Sequence, residues 1–450
     1  MATAVRDHHP EAAINGMEIK KGPEELLEQH ACNSDDGFAP PQDQDSPVND
    51  PVLQPRLVLE RVPTYLQPSL PWRDRLLHFT FAWYTVTMST SGIALVLAIT
   101  PHRFRGLNII GLIIFIVDLL SFVFISTAIA LRFVLYQDTI RRAFTRPSEG
   151  LFVPTLFLSI AAILSNIQEY AAIFLPNDPA GLVGFLRVAF WTYLGVTFCL
   201  SVFQYHLLFT VKEERRLTVN AMTPAWILPI FPVMLAGTVA ASSARTQPAD
   251  DALAMICAGL AAQGLGILVS VFFYATYLSR LMAFGLPAQR PGMFIAVGPP
   301  SFTCAALVAM ASEIPRIFEQ LDPQTKVSTL AGGVGDIDTL AGGIRLLALS
   351  AAVFLWGLSF WFFASASAAV VAGMPDRRFH LSWWSFVFPN VGFTIASMRI
   401  GQAFGSEGIL WLSSVMTVLL FLAWLFIAYR CIRAVVKREI VWPGHDEDSD

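Results

Sequence analysis

The sequence predicts an all-α integral membrane protein. Of its 450 residues, 54% are hydrophobic and only 14% are charged, whereas about a quarter of the residues are charged in an average soluble domain. The mean hydropathy is +0.55, and the apolar residues are gathered into runs long enough to cross a bilayer as helices. The sequence has no stripe of Lys and Arg that could neutralise phosphates, which excludes nucleic acid as a partner.

Composition divides the chain into a tail and a body. Residues 1–56 contain eleven acids and four bases, which predicts an acidic, disordered tail over residues 1–70. A ten-helix domain is predicted over residues 71–434, and a short charged tail over residues 435–450. The five cysteines form no CxxC pair, so we expect no disulfide framework, no metal site and no cofactor.

Ten apolar segments have the length of about 20 residues that a membrane-spanning helix requires. In chain order they are Leu76–Ile99, Leu107–Leu135, Leu151–Leu175, Leu182–Thr210, Ala225–Ala241, Leu253–Ser279, Gly292–Ala311, Leu346–Ala372, Trp383–Ile400 and Leu410–Ile432. The short loops after the even-numbered segments, with the stretch after the tenth, contain fourteen Lys and Arg, against five in the opposite loops. Positive charge marks the cytoplasmic side, so both termini are predicted to be cytoplasmic.

Proline is confined to one class of segment. Inside the spans it occurs at Pro229 and Pro232 in the fifth, at Pro299 and Pro300 in the seventh, and at Pro389 in the ninth. A proline inside a helix bends it and frees a carbonyl, which a membrane tolerates where that carbonyl faces protein or a water-filled cavity. The pattern predicts an inner ring of odd-numbered helices around a pathway and an outer ring of even-numbered helices against lipid. Bent but simply packed helices are the alternative.

Small and hydroxyl-bearing residues on the odd-numbered spans are candidates for the lining of that pathway. Neutral donors bind an anion weakly enough to release it again, as flux requires. The candidates are Ser89, Thr90, Ser91, Gly298, Ser301 and Asn390. For Gly298, close helix packing is an equal alternative.

Four ionisable residues lie within or at the ends of spans, where a charge costs roughly 2.5–3.5 kcal/mol at the centre of a helix. Asp118, in the middle of the second span, is either a proton relay or a buried neutral acid, and its place on an even-numbered span favours the second. Glu169 and Arg187 lie near the outer ends of their spans and are candidates for a charge relay. Arg187 could attract a dicarboxylate, and contact with lipid headgroups or pairing with Glu169 is an equal alternative. Arg399, at the outer end of the ninth span, is a candidate for gripping a substrate carboxylate, with contact to lipid headgroups as the alternative.

Several motifs in the broken spans carry a family signature. They are TPAWILPIFP at 223–232, RPGMF at 290–294 running on to VGPP at 297–300, and FPNVGF at 388–393, followed by WPGHDED at 442–448. In this order they resemble the fungal malic acid permeases of the tellurite-resistance/dicarboxylate transporter family. That family also contains fungal sulfite efflux pumps and plant slow anion channels.

The resemblance implies ten helices as five hairpins in a quasi-fivefold arrangement, with odd-numbered helices lining a central pore. It implies that Phe388 matches the phenylalanine that plugs the pore in the family, although a packing aromatic is the alternative, and bacterial members suggest a homotrimer. The implied function is proton-coupled transport of C4-dicarboxylates such as malate and succinate across the plasma membrane. Its partners would be small organic acid anions, protons and the lipid bilayer. Sulfite efflux or an inorganic anion channel is the alternative, and an enzyme is not expected, because the eight histidines form no cluster.

Overall fold

The fold is helical over the whole of the described chain. The computed structural model describes residues 71–175, 180–213, 216–321, 337–375 and 377–441, and no strand occurs within these ranges. The predicted acidic tail at 1–70 and residues 442–450 of the predicted second tail lie outside them.

Thirteen α-helices occur in the described ranges. They are α1 Trp72–Leu77, α2 Tyr84–Ile99, α3 Leu107–Leu135, α4 Asp138–Thr145, α5 Pro147–Gly150, α6 Pro154–Phe174, α7 Ala180–Thr210, α8 Phe231–Ser243, α9 Ala249–Phe284, α10 Gly298–Gln320, α11 Ile337–Val371, α12 Phe388–Phe404 and α13 Glu407–Val436. Short 3-10 segments precede four of them: Phe81–Trp83 before α2, Pro224–Ile227 before α8, Arg290–Val297 before α10 and Leu381–Phe386 before α12.

Eight helical stretches in the described chain are long and apolar enough to cross a membrane, which confirms an integral membrane protein. The predicted fifth and ninth spans differ from the other eight. Their α-helices, α8 and α12, have only 13 and 17 residues, because the first part of each span is a 3-10 segment followed by a turn or bend rather than an α-helix.

Burial alternates along the chain. Between 72% and 83% of the most apolar part of Phe81–Ile99, Pro147–Phe174 and Arg290–Gln320 is buried. In α3, α7, α9, α11 and α13 the buried share is only 17–39%. The second group exposes large apolar side chains: Phe124 is 67%, Phe272 73% and Phe354 80% exposed. Lipid tails are as apolar as these side chains, so this surface suits contact with the bilayer.

The buried helices contact one another in a closed ring. In order around it are α2, α6, α8, α10 and α12, and α12 returns to α2; we call these the inner helices. Each of the outer helices, α3, α7, α9, α11 and α13, packs against the inner helix that precedes it in the chain. The two predicted layers are therefore present in the packing.

The sequence predicted bent α-helices at Pro229, Pro232, Pro299, Pro300 and Pro389, but none of these five prolines lies in the interior of an α-helix; the proline inside an inner helix is Pro315 of α10. Pro232, Pro299 and Pro389 are each the second residue of an inner helix, Pro300 follows Pro299, and Pro229 lies in the turn before α8. Proline is tolerated in the first turn because the N–H that it lacks would have no helical partner there. These prolines therefore mark where a 3-10 segment or turn gives way to an α-helix.

Candidate substrate pathway

Three phenylalanines from three inner helices meet inside the ring. The ring centroid of Phe388 lies 6.2 Å from that of Phe231 and 5.2 Å from that of Phe302, and the latter two are 5.9 Å apart. Since α10 separates α8 from α12 around the ring, the contact between Phe231 and Phe388 crosses the interior. The three residues are 1–3% exposed. We call them the phenylalanine cluster.

The phenylalanine cluster lies at the starts of its helices. Phe231 and Phe388 are the first residues of α8 and α12, and Phe302 is the fifth residue of α10. The first N–H groups of a helix have no partner within it, and the helix dipole places partial positive charge there. Three inner helices therefore direct their positive ends toward the level of the cluster, an arrangement that favours an anion.

Glycines allow the inner helices to approach at the cluster. A Cβ added to Gly298 would lie 2.7 Å from the ring of Phe231, and one added to Gly392 would lie 2.7 Å from the ring of Phe302. Neither distance leaves room for a methyl group. Gly298, a candidate pathway residue from the sequence, therefore has a packing role against the cluster.

The candidate hydroxyls of α2 make contacts between helices. Ser89 Oγ donates to the carbonyl oxygen of Trp384 at 3.4 Å. Thr90 Oγ1 donates to Val86 O at 2.8 Å and accepts from Trp424 Nε1, on outer helix α13, at 3.2 Å. Thr90 therefore faces the outer layer.

Two further candidates are engaged on their own helices. Ser301 Oγ donates to Gly298 O at 2.9 Å, and Asn390 Nδ2 donates to Phe386 O at 2.9 Å. Asn390 also lines a largely apolar cavity of about 450 Å³ between α11, α12 and α13. The structure therefore places Asn390 beside the outer helices.

Four of the buried polar atoms that lack a partner in the described structure lie in the C-terminal halves of α6 and α8. Asn166 Oδ1, Gln168 Nε2, Thr238 Oγ1 and Ser243 Oγ are buried and have no hydrogen bond in the described structure. Buried polar atoms in proteins are almost always bonded, so these four are available to bind water or substrate. The sequence analysis missed them as site residues, although polar residues within apolar spans were a visible signal.

Glu169 and Arg187, considered as a pair from the sequence, have different partners. Glu169 Oε1 lies 2.5 Å from Arg245 NH2, which brings α6 and α8 together. Arg187 NH1 lies 2.6 Å from Asp251 Oδ2, between outer helices α7 and α9. Arg187 is therefore neutralised within the outer layer.

Arg399 is the arginine of the inner ring that remains available. It makes no hydrogen bond or ion pair with any described residue, and its nearest charges are Glu169, Arg245 and Glu313. It lines a cavity of about 400 Å³ together with Arg345 of α11. A guanidinium without a protein partner can bind a carboxylate through two parallel hydrogen bonds.

Asp118 belongs to an outer helix, yet its side chain points into the protein. It is 0% exposed, and neither carboxyl oxygen has a hydrogen-bond partner in the described structure. Its polar neighbour is Ser91 of α2. Asn166 Nδ2 of α6 donates to the carbonyl oxygen and to the hydroxyl of Ser91, at 2.8 and 2.9 Å. The carboxyl therefore lies beside the contact between two inner helices.

The ring of inner helices, the phenylalanine cluster and the unpartnered polar groups together indicate a class of membrane protein. An inner layer of helices that begin near a shared cluster, surrounded by outer helices with exposed apolar side chains, is typical of membrane channels and transporters for anions. Among the described residues, no group of three His, Cys, Asp or Glu is placed to hold a metal ion. Residues 78–432 match the SLAC1 family, described as voltage-dependent anion channel, and the chain belongs to this family.

This chain is similar to fungal proteins named for malic acid transport and for sulfite efflux. The chain is 33% identical to the malic acid transport protein of Schizosaccharomyces pombe over 392 residues, which cover 85% of this chain and 84% of that protein. It is 34% identical to a putative malic acid transport protein of the same organism, over 85% and 86% of the two chains. It is 25% identical to the sulfite efflux pump SSU1 of Trichophyton rubrum, over 73% and 83% of the two chains. The resemblance seen in the sequence motifs is confirmed.

Proposed function

We propose that the protein is a plasma-membrane transporter of C4-dicarboxylates such as malate and succinate, which it takes up together with protons. The observation that carries this proposal is the identity of 33% and 34%, over 85% of this chain, to two proteins named for malic acid transport. Sulfite efflux fits less well, because the similarity to a sulfite pump is 25% over 73% of the chain.

The proposed architecture is ten membrane helices in five hairpins, arranged with quasi-fivefold symmetry and with both termini in the cytoplasm. The closed ring of inner helices and the packing of each outer helix on its preceding neighbour support it. For the two short helices, residues 224–243 and 381–404 each supply the roughly 20 residues that a span requires once the 3-10 segments are included.

The proposed route runs through the inner ring. A dicarboxylate is first held near Arg399 and then meets the unpartnered donors Gln168, Thr238 and Ser243. It passes the phenylalanine cluster when the aromatic side chains rotate aside, at the level where the helix starts present positive charge. Weak neutral donors after the arginine suit transport, since the substrate must also leave.

Uptake of labelled malate in yeast cells that lack their own dicarboxylate carriers tests the proposal. Cells expressing the protein should show saturable uptake that is stronger at acidic than at neutral pH and is abolished by a protonophore. Cells carrying the empty vector are the control, and surface labelling establishes that the protein reaches the plasma membrane. Protein at the surface without malate uptake would contradict the proposal, and increased resistance to sulfite in the same cells would then support sulfite efflux.

A further inference from the structure

Asp118 differs from the other buried acids of the described membrane region. Glu149 is paired with Arg132 of α3, and Glu169 is paired with Arg245, just after the end of α8. Asp118 is as deeply buried as these, and no cation accompanies it in the described structure. A carboxyl in an apolar environment is stable as the neutral acid, or as an anion only when donors are supplied. The position is therefore suited to a group that exchanges a proton.

Ser91 is the polar residue of an inner helix that lies next to Asp118. Asn166 Nδ2 carries two hydrogens and lies within hydrogen-bond distance of three acceptors, the carbonyl oxygens of Ser91 and Ala162 and the hydroxyl oxygen of Ser91, so one hydrogen is shared between two of them. The hydroxyl oxygen of Ser91 accepts from that nitrogen at 2.9 Å. The hydroxyl hydrogen of Ser91 is thereby left free to turn toward Asp118.

The two protonation states of Asp118 require opposite roles of Ser91. An ionised carboxylate accepts the hydroxyl hydrogen of Ser91, which leaves the bond from Asn166 in place. A protonated carboxyl donates its own hydrogen to the second lone pair of Ser91 Oγ, and the hydroxyl hydrogen of Ser91 must then turn away from Asp118 to another acceptor. Since Ser91 lies on α2 and Asn166 on α6, the proton alters the contact between two neighbouring inner helices.

The other titratable and charged groups near Asp118 in the described structure are bound to partners of their own. From α2 it faces Ser91, and no charged side chain of the described residues acts on it. From α6 the titratable neighbour of this region is Tyr170, whose hydroxyl donates to Ala94 O at 2.8 Å and packs against α3 near Gly111. On α3 itself the charged residue Arg132 is bound to Glu149.

We propose that Asp118, linked through Ser91 to Asn166, is the proton-binding site that couples proton uptake to dicarboxylate transport. This inference rests on the proposed function. In each cycle the carboxylate binds one proton from the outer side and releases one proton to the cytoplasm, and no other covalent bond changes. The bound proton shifts the α2–α6 contact, and with it the buried donors and acceptors that α6 presents to the substrate.

The test compares Asp118→Asn with the wild type in proteoliposomes under two conditions. Asparagine has the shape of the neutral acid and cannot titrate. Exchange of labelled for unlabelled malate at equal pH should persist in this variant, whereas acceleration of uptake by an inward proton gradient, and the accompanying proton movement, should be lost. The ratio of uptake with and without the gradient should fall to unity. Thr127→Val, an exposed position on the same helix, is the matched control and should keep the wild-type ratio.

Three results would overturn the inference. They are an unchanged gradient ratio in Asp118→Asn, a loss of exchange together with uptake despite normal reconstitution, and an unchanged ratio in Ser91→Ala. If Asp118→Asn does not fold, Asp118→Glu should keep the gradient ratio and Ser91→Ala should lower it, and this pair decides the question. Wild-type protein that moves no malate under either condition would instead contradict the proposed function.

Discussion

The inner and outer helices are both apolar, yet they use their side chains differently. The outer helices present large side chains such as Phe272 and Phe354 to the bilayer, at 73% and 80% exposure. The inner helices bury most of their residues, including small and hydroxyl-bearing ones. Hydropathy alone identifies a membrane span, but it does not say which layer a span occupies. Small residues, hydroxyls and prolines distinguish the inner layer, because close helix packing and a polar interior both require them.

The two layers also differ in whether their arginines are paired with acids. In the outer layer, Arg187 is bound to Asp251 with both side chains more than a third exposed. In the inner layer, Arg399 has neighbouring charges but no ion pair among the described residues. An exposed, paired arginine contributes little to binding, whereas an unpaired one in a cleft is free to hold a carboxylate. Matched substitutions in the two layers can therefore separate roles in transport from roles in stability.

The largest effect is expected from Phe388→Ala, compared with Phe354→Ala in the outer layer. Truncating a buried phenylalanine removes about 3–5 kcal/mol of packing, and about 1.4 kcal/mol of a barrier changes a rate tenfold. Removing the ring of Phe388 from the phenylalanine cluster should therefore raise anion leak roughly tenfold or more, measured as whole-cell current. Phe354 contacts lipid, so its truncation should leave the current unchanged. Equal currents in the two variants, at equal surface expression, would remove Phe388 as a gate.

A smaller effect on transport is expected from Arg399→Gln, compared with Arg187→Gln. A hydrogen bond to a charged group contributes about 1.5–3 kcal/mol, so the KM for malate should rise roughly tenfold or more in the first variant. The KM for a monocarboxylate should rise less, because a monocarboxylate has no second carboxylate for Arg399 to bind. Arg187→Gln should change neither value. A similar loss for both substrates in Arg399→Gln would indicate a role in folding.

The layered fold could be predicted from the sequence because its cause is local. Prolines in odd-numbered spans and long apolar even-numbered spans are visible residue by residue, and the structure has the corresponding buried and exposed helices. The fifth and ninth spans were visibly short in the sequence, but the 3-10 segments that begin them could not be foreseen. A proline in an apolar run is compatible with a kink inside a helix and with a helix start, and the packing around Pro232 and Pro389 decides between them.

The candidate site was harder to predict, for a reason that lies in the inner helices themselves. A helix that is buried on all sides has no polar face, so its sequence does not show which residues point to the pathway. Thr90 and Asn390 were selected by residue type, and the structure places them toward outer helices. Thr238 was not selected, and its hydroxyl lacks a hydrogen-bond partner among the described residues. The position of Phe388 came from family resemblance rather than from periodicity.

The smallest effect is expected from Gly392→Ala, compared with Gly264→Ala in the outer layer. The new Cβ at residue 392 would lie 2.7 Å from the ring of Phe302, whereas the one at residue 264, in α9, would have no atom within 4 Å. Overpacking costs about 1–3 kcal/mol, so Gly392→Ala should lower the thermal midpoint of the detergent-solubilised protein. Gly264→Ala should leave it unchanged or raise it, since alanine favours a helix by roughly 0.5–1 kcal/mol over glycine. Displacing Phe302 also disturbs the phenylalanine cluster, so a modest anion leak should accompany the loss of stability in Gly392→Ala alone. A lower midpoint without leak would mean that the cluster closes the ring through Phe231 and Phe388, with Phe302 only supporting them.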